Sequence, residues 1–237
     1  MKNTKIIPQE VLKLIACLTM FIDHFGHAIV PGLPVPYMVD LYYACRIIGR
    51  IAFPIYCFLL CEGMRHTRNP VKYILRLGTG ILLAELPFDI LFEGGISWGA
   101  QSVMVTLTLG AVMLWCMSKT QKKWLKLLLI LPFAVVAELV KSDYGGWGIA
   151  MIAVFAILEN IHLQFFGVLM VGILMPSGGV PIFGTVLPCE IAAIFAMLPI
   201  GYYSGKKLTH SRAVQWAFYL FYPVHLLILW LALMFLR

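Results

Sequence analysis

Apolar stretches recur from residue 11 to the end of this 237-residue chain, broken only by short polar interruptions. A chain patterned this way cannot hide its hydrophobic surface in one water-soluble core. Its natural solvent is a bilayer, where helices satisfy their own backbone groups. Composition agrees, with 61% hydrophobic and 12% charged residues, against roughly 45–50% and about 25% in soluble domains. An ordinary soluble protein is excluded, and no stretch remains for a soluble catalytic module. Disorder and collagen-like repeats are excluded as well, because the 20 Gly and 13 Pro follow no period.

Windows long enough to cross about 30 Å of hydrocarbon at ~1.5 Å per residue fall near 10–30, 41–63, 71–92, 102–118, 124–141, 147–159, 161–175, 183–203 and 213–235. The expected fold is all-α: a polytopic transmembrane helical bundle of about nine spans, with eight to ten compatible, forming one domain over residues 1–237. The sixth and seventh windows are short and are parted by Glu159-Asn160-Ile161-His162, as a pair of tilted or half-depth helices would be. Lys2 and Lys5 before an apolar run imitate a signal peptide. However, Asp23, His24 and His27 interrupt that run and no small-residue cleavage site follows, so residues 10–30 read as a retained first span.

Basic residues set the orientation. Lys2 and Lys5, then Arg65, Arg68 and Lys72, then Lys119, Lys122, Lys123 and Lys126, then Lys206, Lys207 and Arg212 occupy alternate loops, which the positive-inside rule places in the cytoplasm. The opposite loops, Pro31-Gly32-Leu33-Pro34-Val35-Pro36, Glu93-Gly94-Gly95 and Pro176-Ser177-Gly178-Gly179, contain no Lys or Arg, and Lys141 is the lone basic residue of a further outer connection. The amino terminus is therefore cytoplasmic, in a multi-pass protein of the cytoplasmic (inner) membrane. The net charge of +7, from 18 Lys and Arg against 11 Asp and Glu, is accounted for by these loops. The aromatic residues lie inside apolar spans rather than along a basic face, so nucleic acid is not an expected partner. All six cysteines sit in apolar segments, with neither a disulfide framework nor a metal-ligand spacing, and no metal is expected.

A charge deep in a spanning helix costs at least about 2.5–3.5 kcal/mol on insertion scales, so each one needs a partner, a watery cavity or a task. Here the first span carries Asp23 and His24, with His27 one turn on. The second carries Arg46 and Arg50 at i, i+4, and the third carries Arg76 followed by Glu85 and Asp89 at i, i+4. Counted from the cytoplasmic ends, His24 and Glu85 lie ~21 Å deep and His225 ~18 Å, with Arg50 at comparable depth. Glu138 and Glu190 are candidates to join them. The pattern predicts a polar cavity opening outward, with Arg46, Glu85 and Asp89 as substrate-binding candidates. The plainer alternative is that Arg46 and Arg50 neutralise Glu85 and Asp89 in a structural ion-pair cluster. Pro54, Pro87 and Pro223 stand beside these polar groups and predict bent helices. On the inner side, Lys13, Arg65, Arg68, Lys72 and Arg76 form a purely basic group, explained by topology or by a bound anion such as a nucleotide phosphate.

Four motifs carry a resemblance: Lys13-Leu14-Ile15-Ala16 leading to Met20-Phe21-Ile22-Asp23-His24, Gly49-Arg50-Ile51-Ala52-Phe53-Pro54, Asp143-Tyr144-Gly145-Gly146-Trp147-Gly148 and Phe221-Tyr222-Pro223-Val224-His225-Leu226. In that order, nearly end to end, the chain resembles the conjugal-transfer TraX family, membrane proteins named for N-acetylation of a conjugative pilin. That family is similar in turn to multi-spanning acyltransferases, which use an early-helix histidine and a basic residue with ten residues between the two. Lys13 and His24 have this spacing, with Lys where the wider class typically has Arg.

The resemblance implies an acetyl-CoA-dependent N- or O-acetyltransferase. His24 would be its general base, Asp23 would tune or orient that base, and Arg50 would stabilise the thioester oxyanion or position the acceptor. Acetyl-CoA would be the acyl-donor substrate, held by Lys13, Arg65, Arg68, Lys72 and Arg76, with Tyr222 and His225 in the pocket. The acceptor is a peptide amine, a glycan or a lipid. The bilayer is the remaining partner, and a homo-oligomer is compatible with the reading. A rival from another class is a proton-coupled transporter or flippase with Asp23, His24, Glu85 and Asp89 as its relay. A third is a structural partner in a secretion or conjugation complex, for which His24 would be dispensable.

Overall fold

Proline, glycine and capping side chains decide where the helices stop. The computed structural model describes residues 5–176, 178–182, 185–209 and 211–236. Lys2, Ser177 and the opening residue of the eighth window, Phe183, lie outside them. The chain is mostly helical and divides into two compact units, Met1–Tyr56 with Ile161–Arg237, and Cys57–Asn160.

In the first unit, α1 (Gln9–Ala28) buries Leu12, Ala16, Met20 and Asp23, the i, i+4 stripe of a helix packed along one face. A 3-10 turn at Val30–Gly32 leads to α2 (Met38–Gly49), which packs back against α1. The helical run breaks at Arg50–Ile51 before α3 (Ala52–His66). Pro54 has no N–H to give the Arg50 carbonyl, which explains the break.

The second unit holds the rest of α3, then α4 (Pro70–Phe88), α5 (Val103–Ser118), α6 (Lys123–Leu128), α7 (Ile130–Leu139) and α8 (Gly145–Ile157). Asn69 caps α4 by accepting from the Lys72 N–H at 2.9 Å, with Pro70 in the first turn. Beyond Pro87 that helix widens into a π turn, Asp89–Glu93, closed by Gly94 at φ +75°. Pro132 likewise has no N–H for the Leu128 carbonyl, where α6 ends.

The chain then re-enters the first unit through α9 (Ile161–Leu174), the antiparallel hairpin β1 (Gly179–Ile182) and β2 (Thr185–Pro188), a 3-10 segment Cys189–Ala196, α10 (Met197–Gly201) and α11 (Arg212–Leu236). The eighth apolar window is thus not one helix. Its described part opens in strand β2, which Pro188 closes. Along α11 the buried stripe is Tyr222, His225, Leu226 and Leu229, while Val224, Leu227, Ile228 and Leu231 face outward. The polar Tyr222 and His225 face in, and the outward face is aliphatic, as lipid demands.

Among the described residues, three helical segments are long and apolar enough to cross a membrane: Gln9–Gly32, Met38–His66 and Arg212–Leu236. Val103–Ser118, Gly145–Ile157, Ile161–Leu174 and Cys189–Gly201 are shorter apolar helices. Among the described residues these three long segments and four short ones support a helical membrane protein, and nine full spans are not all present as long apolar helices. The third window carries four charges, Lys72, Arg76, Glu85 and Asp89, and the fifth is split at Leu129. The sixth and seventh, α8 and α9, are 13 and 14 residues long, ~20 Å each.

At one end of the first unit, Ile7 bridges Tyr203 and the Glu10 carboxylate accepts from the Leu208 N–H at 2.7 Å. Ile7 and Glu10 thus lie at the same end of this unit as the loop carrying Lys206 and Lys207.

The α1 and α2 backbones approach closely through glycine. A methyl group at Gly26 would collide with the Cys45 Cβ, whereas one at Gly78 in α4 would meet open space. Gly26→Ala is expected to lower stability in detergent by about 1–3 kcal/mol. Gly78→Ala should leave it unchanged or raise it by up to about 1 kcal/mol. Thermal melts of the two proteins side by side check the pair.

Candidate functional site

Three segments of the first unit bring four charges into one buried chain. The Asp23 carboxylate on α1 accepts from Arg46 Nη1 and from Arg50 Nη2, both at 2.6 Å. Arg50 Nη1 donates to Glu190 Oε1 on the 3-10 segment, and Arg50 Nε reaches the Arg46 carbonyl at 3.3 Å. The side chains of Asp23, Arg50 and Glu190 are at most 10% exposed, while Arg46 keeps 24%. Two arginines and two carboxylates cancel, which is the condition for holding charge in a low-dielectric interior.

Small residues make room for this network. A Cβ at Gly49 would overlap the Asp23 side chain, and one at Gly172 on α9 would stand 2.6 Å from the Glu190 carbonyl oxygen. Gly49 and Gly172 are therefore part of the site although neither carries chemistry.

Beside the ion pairs, His24 Nδ1 lies 2.7 Å from His225 Nε2, and His225 Nδ1 donates to the Phe221 carbonyl at 2.8 Å. The two imidazoles are nearly parallel, at 8°, with centres 5.0 Å apart. That spacing is the nitrogen-to-nitrogen distance plus one ring radius on each side, so the rings meet edge to edge in a common plane. Tyr222 packs edge-on to both, at 6.1 Å from His24 and 5.5 Å from His225. Phe221 stacks on His225 at 4.9 Å and 17°. His225 is 2% exposed, whereas His24 is only half-buried. Two turns of α1 closer to its start, Cys17 Sγ lies 3.2 Å from the Tyr56 hydroxyl.

In this arrangement Asp23 is bound by Arg46 and Arg50, and the ring hydrogen-bonded to His24 is that of His225. Arg46 and Arg50 take their carboxylates from Asp23 and Glu190, not from Glu85 and Asp89. Those two acids belong to the second unit, where Glu85 accepts from the Ser102 hydroxyl at 2.6 Å and from its N–H at 3.1 Å, and Asp89 from the Ser97 N–H at 3.0 Å. Both acids tie down the turn between α4 and α5. Glu138, also in the second unit, accepts from the Gly146 N–H at 2.8 Å and so caps α8.

The basic group is divided in the same way. Lys13, in the first unit, sets its ammonium 5.4 Å from the Phe218 ring centre. Arg65, Arg68, Lys72 and Arg76 are exposed in the second. Arg65 donates to the Phe155 carbonyl at 2.8 Å and to Glu62 at 3.2 Å, and Arg76 lies over Tyr73 at 5.3 Å. Of the site's members, Glu190 carried the faintest sequence signal, as the only charged residue between Glu159 and Lys206. The Phe221 carbonyl carried none.

Asp23→Asn is expected to cost about 3–5 kcal/mol, because it leaves the buried Arg50 with Glu190 as its one carboxylate and takes from Arg46 the carboxylate it binds. Adding Arg46→Met should recover part of that loss. Detergent melts of the double-mutant cycle measure the coupling, and strictly additive losses would dissolve the network.

The family model described as TraX protein matches residues 8–233. The chain is 28% identical to the probable fimbrial assembly protein FimC, serogroup H1, of Dichelobacter nodosus, over 95% of this chain and 96% of that one. It is 29% identical to the uncharacterized protein RP591 of Rickettsia prowazekii (strain Madrid E), over 43% of this chain and 34% of that one. No solved structure matches. The family model spans α1, α2, the 3-10 segment and α11, the segments that carry the ion-pair network and the paired histidines, and by that match the chain is a member of the TraX family.

Proposed function

We propose that this membrane protein is an acyltransferase of the cytoplasmic membrane, multi-pass, that moves an acetyl group from acetyl-CoA to an amine or hydroxyl of an extracytoplasmic or membrane-associated acceptor. The observation that carries the reading is His24, a half-buried imidazole bonded through one nitrogen to a second, buried imidazole and set beside a charge-neutral cluster. A base must be both held and reachable, and this one is both.

In the transfer, His24 takes the proton from the acceptor N–H or O–H. The freed electron pair forms a bond to the acetyl carbon, and the carbon–sulfur bond breaks with its pair leaving on the CoA sulfur. The proton on His24 then passes to that thiolate, which restores the base. Arg46, the more exposed of the two arginines, is assigned to the developing negative oxygen of the thioester carbonyl. Arg50 is engaged by Asp23, Glu190 and the Arg46 carbonyl, and we assign it to positioning. The exposed Arg65, Arg68, Lys72 and Arg76 supply a field that draws the CoA phosphates. A pilin-type peptide amine is the first acceptor to try, supported by the family's name and by a relative named for fimbrial assembly.

His24→Ala is expected to reduce release of free CoA thiol from acetyl-CoA at least about 100-fold, at equal thermal stability in detergent. Unchanged release would remove His24 from the chemistry. Proton-coupled transport without thioester cleavage in reconstituted vesicles would move the protein to the transporter class. Raising the salt from low to about 0.5 M should weaken acetyl-CoA binding several-fold, and a flat response would detach the basic cluster from the phosphates.

A further inference from the structure

Resting on that reading of His24, we propose that His225 is a positioning residue that fixes His24 in the tautomer bearing hydrogen on Nδ1, so that its basic lone pair stands at Nε2. The inference runs along a sequence of hydrogen bonds. The Phe221 carbonyl can only accept, so the 2.8 Å contact requires the hydrogen of His225 to sit on Nδ1. A neutral imidazole carries one such hydrogen, so His225 Nε2 presents a lone pair. The 2.7 Å in-plane contact to His24 Nδ1 then needs its hydrogen from His24. The His24 ring has used its one hydrogen there, and Nε2 is left able to take a proton.

The neutral form of His225 follows from its surroundings. It is 2% exposed, and among the described residues neither of its ring nitrogens touches a carboxylate. One faces a backbone carbonyl and the other faces His24. An imidazolium held there would be desolvated without a counter-charge. Asp23 and Glu190, the nearby acids, are bound to Arg46 and Arg50.

The ring is also held against rotation. Phe221 stacks on it, and Tyr222 and Phe21 close in edge-on at 5.5 and 6.3 Å. A flip about χ2 would break both hydrogen bonds at once. In this protein a second histidine, itself set by a helix carbonyl, thus occupies the place where acid residues orient catalytic histidines elsewhere. When His24 receives a proton, its Nδ1–H still points at the His225 lone pair, and the new charge is shared across the pair.

The test reads the tautomer directly. Protein labelled with 15N-histidine in detergent, with His24 assigned by its loss in His24→Ala, should show His24 protonated at Nδ1 and unprotonated at Nε2. In His225→Ala the His24 signal should shift toward the opposite tautomer or an average, and acetyl-CoA thiol release should fall about 10-fold or more. In His225→Gln the amide oxygen can accept the same hydrogen bond, so the Nδ1–H tautomer and most of the turnover should return. A wild-type His24 protonated at Nε2 would overturn the proposal. So would an unchanged His24 tautomer in His225→Ala, or a Gln variant no better than Ala at equal stability. If wild type releases no thiol at all, the acyltransferase reading fails, while the wild-type spectrum still decides the role of His225. That spectrum also serves if the alanine variant does not fold.

Discussion

Arg50 holds three segments at once. Its guanidinium reaches Asp23 on α1 and Glu190 on the 3-10 segment, and Nε returns to the Arg46 carbonyl on α2, which Arg50 directly follows. In an apolar surround no water competes for these groups, so each bond is strong and each missing bond expensive. The planar fork of arginine is what allows one side chain to satisfy two carboxylates in fixed directions. His24 shares α1 with Asp23, so its pairing with His225 on α11 depends on this frame: a helix free to rotate could not keep two imidazoles in one plane.

The chemistry that follows is a division of labour along adjacent residues of α1. Asp23 faces the arginines and keeps α1 in register with α2, while His24, about 100° around the helix, faces α11. Neighbours in sequence thus serve different walls. This weighs against a proton relay running through both residues, since the Asp23 carboxylate is already engaged by two guanidiniums. It favours a fixed base over a moving one.

How far the sequence foretold this depends on the kind of signal. Intramembrane charge is legible because it is rare and costly, so Asp23, His24, Arg46, Arg50 and His225 stood out from apolar surroundings. Pairing was not legible. The i, i+4 spacing of Arg46 and Arg50 matched that of Glu85 and Asp89 equally well, and only the fold assigns the arginines to Asp23 and Glu190. The breaks beside Pro54 and Pro87 followed from a missing N–H, whereas Pro223 lies inside the continuous α11. The hairpin Gly179–Pro188 was hidden, because an apolar run of β-branched residues reads alike as strand or helix once a membrane is assumed. The tautomer lock was out of reach, since it rests on a backbone carbonyl that leaves no mark in the sequence.

The first unit is discontinuous, and its two pieces are separated by the whole of Cys57–Asn160. During synthesis, α1 and α2 enter the membrane carrying Asp23, Arg46 and Arg50, one positive charge in excess among those three. The balancing carboxylate, Glu190, emerges about 140 residues after Arg50, roughly 7 to 28 seconds later at ordinary elongation rates. Until then the amino-terminal hairpin has an arginine short of its second counter-ion. Completing the charge chain is therefore a late event in biogenesis, and a nascent chain stalled before residue 190 should be the form most exposed to membrane quality control.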